Sequence, residues 1–264
     1  MKLACIALLL MGCASLPPSN DLKKPGYILS FHDEFEGTAL DANKWNDCCI
    51  DFKNGPGVVG KDPFAYVPGN VSVSGGSLRI ACTSEPITCP NAGGGDSTVQ
   101  HRSGQVQTKN KFSQKYGWWE ARIKFPAAQS LLPGFWLMPQ ADSWSTGTAE
   151  VDIMEYHTRW MANQVSSALW WGGYGAGRRG GALGYSDIEG ANDWHVYALN
   201  WEPSKLEIYV DGKKTHTHTG PGIPSVDEIV ILSMAIGTWG KPVIEAELPS
   251  SMLVDYVRVY RRCD

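Results

Sequence analysis

The sequence predicts an all-β protein, a single-domain antiparallel sandwich, on three observations. Twenty-nine Gly and sixteen Pro punctuate many short runs rich in Val, Ile, Tyr and Trp, the pattern of strands and turns. No long stretch keeps the 3.6-residue apolar period of an amphipathic helix. With 264 residues and 43% hydrophobic content the chain can bury a large core. All-β sandwiches of about 200–250 residues often stand as one domain. The formal charge of -4 and the lack of any Lys/Arg block exclude nucleic acid as the main partner, since phosphate recognition needs a concentrated basic face.

In chain order, "MKLACIALLLMGCAS" reads as a targeting segment. One Lys precedes an apolar run over residues 3–11, too short to span a bilayer as a mature helix but suited to a signal h-region. The "LMGC" ending resembles a bacterial lipobox. On that resemblance residues 1–12 are a lipoprotein signal peptide, Cys13 is the lipid anchor, and the Pro- and Ser-rich stretch 13–26 is a tether. An ordinary cleaved signal peptide that happens to contain Cys13 is the alternative. Either way the protein is exported, and Ala14 in place of a sorting Asp points to the outer membrane in a Gram-negative host.

Five cysteines follow the anchor, Cys48, Cys49, Cys82, Cys89 and Cys263, an odd number that leaves at least one unpaired. Cys82 and Cys89 flank "TSEPIT", a loop short enough to close as a disulfide in an oxidising compartment. Paired C-x-x-C motifs are missing and the six His are scattered, so a zinc site is not expected.

From Tyr27 the chain reads as serial strands. "NVSVSGGSLRIACT" is a hairpin turning at Gly75-Gly76. "YGWWEARIKFP" alternates Trp119, Ala121, Ile123 and Phe125 against Trp118, Glu120, Arg122 and Lys124. "WHVYALNWEPSKLEIYVDGKK" gives two strands with a turn at Asp211-Gly212, and "MLVDYVRVYRR" a closing strand.

One strand breaks the pattern. "GTAEVDIMEYH", residues 147–157, sets Glu150, Asp152 and Glu155 among Val, Ile, Met and Tyr. Alternation puts Glu150 and Asp152 on one face and Glu155 on the other, where an unpaired carboxylate would cost several kcal/mol or lose its charge. One extra residue near Met154, a β-bulge, would bring all three acids to one face, and bulges are common beside active sites. A solvated acidic face and a metal site remain alternatives on spacing alone.

Seven elements in order, "FHDEFEGTALDANKWN", "HRSGQVQTKNKF", "YGWWEARIKFP", "PGFWLMP", "EVDIMEY", "WHVYALNWEPSKLEIYVDG" and "LVDYVRVY", resemble glycoside hydrolase family 16, in its bulged, laminarinase-like branch. The resemblance implies a jelly-roll β-sandwich of two curved antiparallel sheets over residues 27–264, with a sugar-binding cleft. It implies a retaining glycosidase with Glu150 as nucleophile, Glu155 as acid/base and Asp152 hydrogen-bonded to Glu150. No cofactor is required, although family members often hold a structural Ca2+, for which Asp255 is the candidate ligand. The expected partner is a polysaccharide, met by a monomer.

The resemblance places sugar-contacting aromatics at Trp136, Trp144 and Trp239. The pairs Trp118/Trp119 and Trp170/Trp171 each supply at most one cleft residue by alternation, with Trp170 the candidate in the second. Trp45 and Trp201 lie in apolar runs and are assigned to packing, while Trp194 stays open. If the bulge forms, His157 follows Glu155 on the cleft face, to touch substrate or tune the acid, against an ordinary packing role.

Departures from the family pattern bear on substrate. Ala149 stands where a Gly is common, Trp170-Trp171 where His-Trp is common, and "EYHTRW" replaces "EYVG". The loop "GGYGAGRRGG" carries Arg178 and Arg179, either a clamp for sulfate or carboxylate or a solvated pair. The expected function is endo-hydrolysis of β-1,3-glucan. The alternatives are a marine galactan such as agar, porphyran or carrageenan, or a noncatalytic glycan-binding lipoprotein.

Overall fold

A computed structural model describes residues 22–126, 128, 130–141, 143–157, 163–237 and 243–263. Cys13, the signal and most of the tether therefore lie outside the described residues, as does Trp239. Strands are numbered in chain order. One sheet of eight runs β16 (Lys213–His218), β15 (Lys205–Val210), β14 (Trp194–Glu202), β9 (Gly117–Lys124), β18 (Ser250–Arg262), β4 (Ser77–Cys82) and β3 (Val71–Ser74), with β1 (Tyr27–Asp33) paired to the end of β18. The second, of six, runs β13 (Arg179–Asp187), β12 (Gln164–Trp171), β11 (Ala149–Glu155), β10 (Leu131–Pro139), β17 (Glu228–Ile236) and β8 (Gln105–Gln107). All pairings within both sheets are antiparallel, and the two sheets make a jelly-roll sandwich.

Alternation builds the core as the sequence predicts. From β9, Trp119, Ala121 and Ile123 are fully buried in the sandwich, and Phe135, Leu137, Val151, Leu232 and Met234 meet them from the six-stranded sheet. Each such large side chain contributes about 1.5–3 kcal/mol on burial. Trp45 and Trp201 are core residues, with their indole N–H groups bonded to Asp33 and to the Pro224 carbonyl. Trp118 takes the other face of β9, donating to Glu120 at 2.6 Å beneath the Lys24 ammonium, 3.7 Å from its ring. Trp194 packs its ring 4.9 Å from the Arg122 guanidinium on the eight-stranded sheet, so neither joins the acids.

The Gly75-Gly76 turn is present, both residues at positive φ, +59° and +74°, as a two-residue hairpin of this hand requires. Two features were not anticipated. A third strand, β16, follows the Asp211-Gly212 turn, and β2 (Phe64–Tyr66) pairs in parallel with β7 (His101–Ser103).

The Cys82–Cys89 disulfide does not form: all five described cysteines are free thiols. Cys82 leaves β4 into the main core, its sulfur 3.2 Å from the Ser103 hydroxyl, and burial pushes its thiol up to about 12. Cys89, on β5 (Ile87–Pro90) in a hairpin with β6 (Asp96–Val99), instead packs into a small separate cluster with Val58, Ala65 and Val99. The two side chains belong to different cores.

Asp255 fits calcium poorly. Its carboxylate accepts from Arg122 at 2.9 Å, and both side chains are largely covered. Among the described residues no group of three or more His, Cys, Asp or Glu could hold a metal ion. A cation there would have to displace a paired guanidinium. Chelator is therefore expected to leave the melting temperature unchanged, by thermal unfolding with and without EDTA; a drop restored by Ca2+ would mean that backbone oxygens make a site around Asp255 after all.

Candidate active site

β11 runs through the middle of the six-stranded sheet, and its register carries the site. Asp152 lies opposite Ala168 of β12 and Glu155 opposite Ser166, so Ile153 and Met154 together face Ser167 alone. On the other side Phe135 of β10 meets Met154 while its neighbour Trp136 meets Asp152. This is the expected bulge. It sinks both Ile153 and Met154 into the core and returns Glu155 to the face of Glu150 and Asp152. The Ser167 hydroxyl donates to the Ile153 carbonyl at 2.8 Å, holding the irregular turn of the backbone.

The three carboxyl groups line one cavity of about 190 Å³ with Tyr66, Leu132, Gly134, Trp136, Tyr174, Ser233 and Ala235. Trp136 is in place, its indole N–H bonded to Ser233 at 3.0 Å. Trp170, across from Glu150, lies 3.7 Å beneath the Arg178 guanidinium, and its indole opposes the rise of Asp152. Glu150 accepts from the Tyr174 hydroxyl, and Arg178 stands 4.0 Å from its second oxygen. Glu150 is thus held by Tyr174 and Arg178, from the turn after β12, where Asp152 was the expected partner. Trp144 is one step removed. It meets the Tyr174 ring edge-on at 5.2 Å and lines the adjoining hollow of about 180 Å³.

Burial and mutual charge separate the proton states of the acids. Asp152 is raised well above the usual range by burial and then by Glu155 and Glu150. Glu155 is pushed up to about 7, by burial first and the Glu150 charge second, with Arg178 opposing. Glu150 is also raised by burial, but Tyr174 and Arg178 both pull against the rise. Burial thus raises both glutamates, Glu155 to about 7, where it can exchange a proton near neutral pH, and Glu150 against the pull of a phenol and a guanidinium, the unlike environments a two-carboxylate reaction needs.

Other expectations fare differently. His157 is half-buried beyond the end of β11, and burial lowers it to about 4, so it is neutral near pH 7 and does not line the acid cavity. The arginines separate: Arg178 turns into the site, whereas Arg179, paired to Trp171 at the start of β13, is exposed outside it. Tyr66, Tyr174 and Ser233 were missed. Tyr174 had a signal, as the lone aromatic among the glycines beside the Trp pair, while nothing distinguishes Tyr66 or Ser233 from core residues.

A sandwich that sets two glutamates in one cavity on a bulged strand, beside an indole, has the arrangement of a two-carboxylate glycoside hydrolase. The chain belongs to glycoside hydrolase family 16: a family model described as "Beta-porphyranase A-D, GH16 domain" matches residues 27–262. It is 31% identical to the glucan endo-1,3-beta-glucosidase A1 of Niallia circulans over 94% of this chain, spanning 40% of that longer protein. It is 27% identical to the beta-glucanase of Rhodothermus marinus, over 98% of this chain and 94% of the relative. Among solved structures, SCLam, a non-specific endo-beta-1,3(4)-glucanase of the family, superposes with a TM-score of 0.74 at 28% identity, covering 91% of this chain and 93% of that one.

The proton states can be read directly. Carboxyl 13C NMR is expected to show Glu155 titrating near pH 7, and Glu150→Gln should lower that midpoint, because a neighbouring negative charge has gone. A Glu155 midpoint near an ordinary carboxyl value, unmoved in the variant, would contradict this electrostatic account.

Proposed function

We propose that this chain is a retaining endo-glycosidase cutting internal β-linkages of a polysaccharide, with laminarin-type β-1,3-glucan as first substrate. The carrying observation is the shared cavity of Glu150 and Glu155 on the bulged strand. Ionised Glu150 attacks the anomeric carbon while protonated Glu155 donates to the departing sugar oxygen, leaving a glycosyl ester on Glu150. Glu155, now a carboxylate, takes a proton from water, which displaces Glu150 with a second inversion. Burial and the two flanking glutamates raise Asp152 and so disfavour a third charge between them. The glucanase names of two relatives support the substrate. A binding protein would have no use for three carboxyl groups confined in one cavity.

A second reading, endo-hydrolysis of an anionic marine galactan, is favoured by Arg178 at the cavity edge and by the porphyranase description of the matching family model. A screen across laminarin, mixed-linkage glucan, agarose, porphyran and carrageenans separates the two. Laminarin turnover with a salt-insensitive KM is expected, whereas porphyran or carrageenan turnover that weakens with salt, without laminarin turnover, would select the galactan.

Glu150→Gln and Glu155→Gln should each lower kcat by about a thousandfold or more while polysaccharide binding persists, since an amide keeps the shape but neither attacks nor donates as the acid does. Proton NMR should show the first product in the β configuration. Near wild-type rates in either variant would remove that residue from its role, and an α product would remove the two-step mechanism.

The chain is further proposed to act outside the cytoplasm as a monomer, tethered through a lipid on Cys13. Supporting this are the "LMGC" ending and the polar stretch that precedes β1. Cys13→Ala is expected to move the protein from the membrane fraction to the soluble one; equal membrane partition would leave the lipobox reading without support.

A further inference from the structure

We propose that Tyr174 and Arg178, on the glycine-rich turn between β12 and β13, are positioning residues that hold Glu150 as the ionised acid of the site by covering one carboxylate oxygen each. This rests on the reading of Glu150 as nucleophile, and the contacts themselves come from the geometry of the turn. The Tyr174 hydroxyl donates to Oε2 of Glu150, and Nη2 of Arg178 stands 4.0 Å from Oε1. Both side chains are braced from behind. The Arg178 guanidinium lies 3.7 Å over the Trp170 ring, and the Trp144 edge meets Tyr174 at 5.2 Å. The backbone is wound tightly enough to present them together. Gly172 and Gly173 sit at φ of +83° and +81°, and a Cβ on Gly172 would fall 2.4 Å from the Gly177 carbonyl oxygen.

The two donors suit different needs. A phenol stabilises a carboxylate without bringing a countercharge that would compete for substrate, and burial beside Glu150 raises Tyr174 so that it keeps its proton. Arg178 adds charge at a distance. Its looser contact leaves Oε1 the freer oxygen for attack while Tyr174 stays on Oε2. The other ionisable groups around Glu150 do not supply this function: Asp152 and Glu155 on β11 oppose its charge, Tyr66 from β2 lines the cavity as a neutral phenol, and Asp51 faces Tyr174 from the chain before β2. Without the turn, Glu150 would follow its neighbours toward protonation. The Tyr174 hydroxyl is the covered end of a side chain that is otherwise exposed, its ring standing between the acid cavity and the hollow lined by Trp144, Ile50 and Lys109.

The experiment reads the Glu150 carboxyl in the substrate-free protein, so it does not depend on which polysaccharide is cut. Carboxyl 13C titration, with Glu150 assigned by its loss in Glu150→Gln, is run on wild type, Tyr174→Phe, Arg178→Gln and the exposed control Arg179→Gln. Losing a donor to the charged form raises the midpoint, by about one pH unit for each of the first two variants and not for the control. In pH–rate profiles on whichever polymer is turned over, the acid limb of kcat/KM should move to higher pH in both. The alkaline limb should hold in Tyr174→Phe and rise in Arg178→Gln, because Arg178 also faces Glu155. Tyr174→Phe keeps the ring against Trp144, and Arg178→Lys keeps the charge should Arg178→Gln not fold. An unchanged Glu150 midpoint in both Tyr174→Phe and Arg178→Gln overturns the proposal. A raised midpoint in variants of a protein whose Glu150→Gln form remains active would instead overturn the nucleophile reading and leave the pairing intact.

Discussion

The site depends on one irregularity, the two-against-one pairing of Ile153 and Met154 with Ser167. Without it a regular strand would turn Glu155 into a core built from Phe135, Val151 and Leu232. With it the same seven-residue strand buries four apolar side chains, Ala149, Val151, Ile153 and Met154, and presents three acids on its opposite face. The bulge therefore serves packing and chemistry at once. The side chains of both Ile153 and Met154 go into the sandwich, and Ser167 satisfies the displaced Ile153 carbonyl.

Gathering three largely buried carboxyl groups in one cavity is unfavourable, and the surrounding strands decide how the molecule accommodates it. Burial raises all three, Asp152 well above the usual range and Glu155 to about 7. Glu150 is the acid that Tyr174 and Arg178 both reach, and both oppose its rise. Reactivity here is an arrangement of proton states, and it is produced by β12 and its following turn as much as by the strand that bears the acids. Trp136 with Ser233 closes the other side from β10 and β17, so three of the six strands of one sheet line the cavity.

The eight-stranded sheet has a separate role. Trp119 and Trp201 anchor the sandwich from that side, while its outer face pairs charges on aromatic rings, as at Lys24 with Trp118 and Arg122 with Trp194. Asp255 belongs to this surface network through Arg122, which is why a carboxylate at that position does not by itself make a metal site.

Much of this was legible from the chain alone, because strand alternation is a local property. The hairpin at Gly75-Gly76, the buried face of β9, the core roles of Trp45 and Trp201 and the bulge near Met154 all follow from period-2 patterning and from where Gly allows positive φ. Long-range neighbours have no such local signature. That Cys82 and Cys89, six residues of loop apart, enter different cores was set by which sheet and which cluster each strand joined. That Arg178 meets Glu150 while Arg179 faces outward, and that a lone Tyr in a glycine run becomes a donor to a carboxylate twenty-four residues earlier, was decided by the pairing of β12 with β11 and β13. Sequence by itself determined which side chains share a strand face; only tertiary structure decided what stands opposite them, because the partners arrive on other strands whose register is set by the packed sheet as a whole.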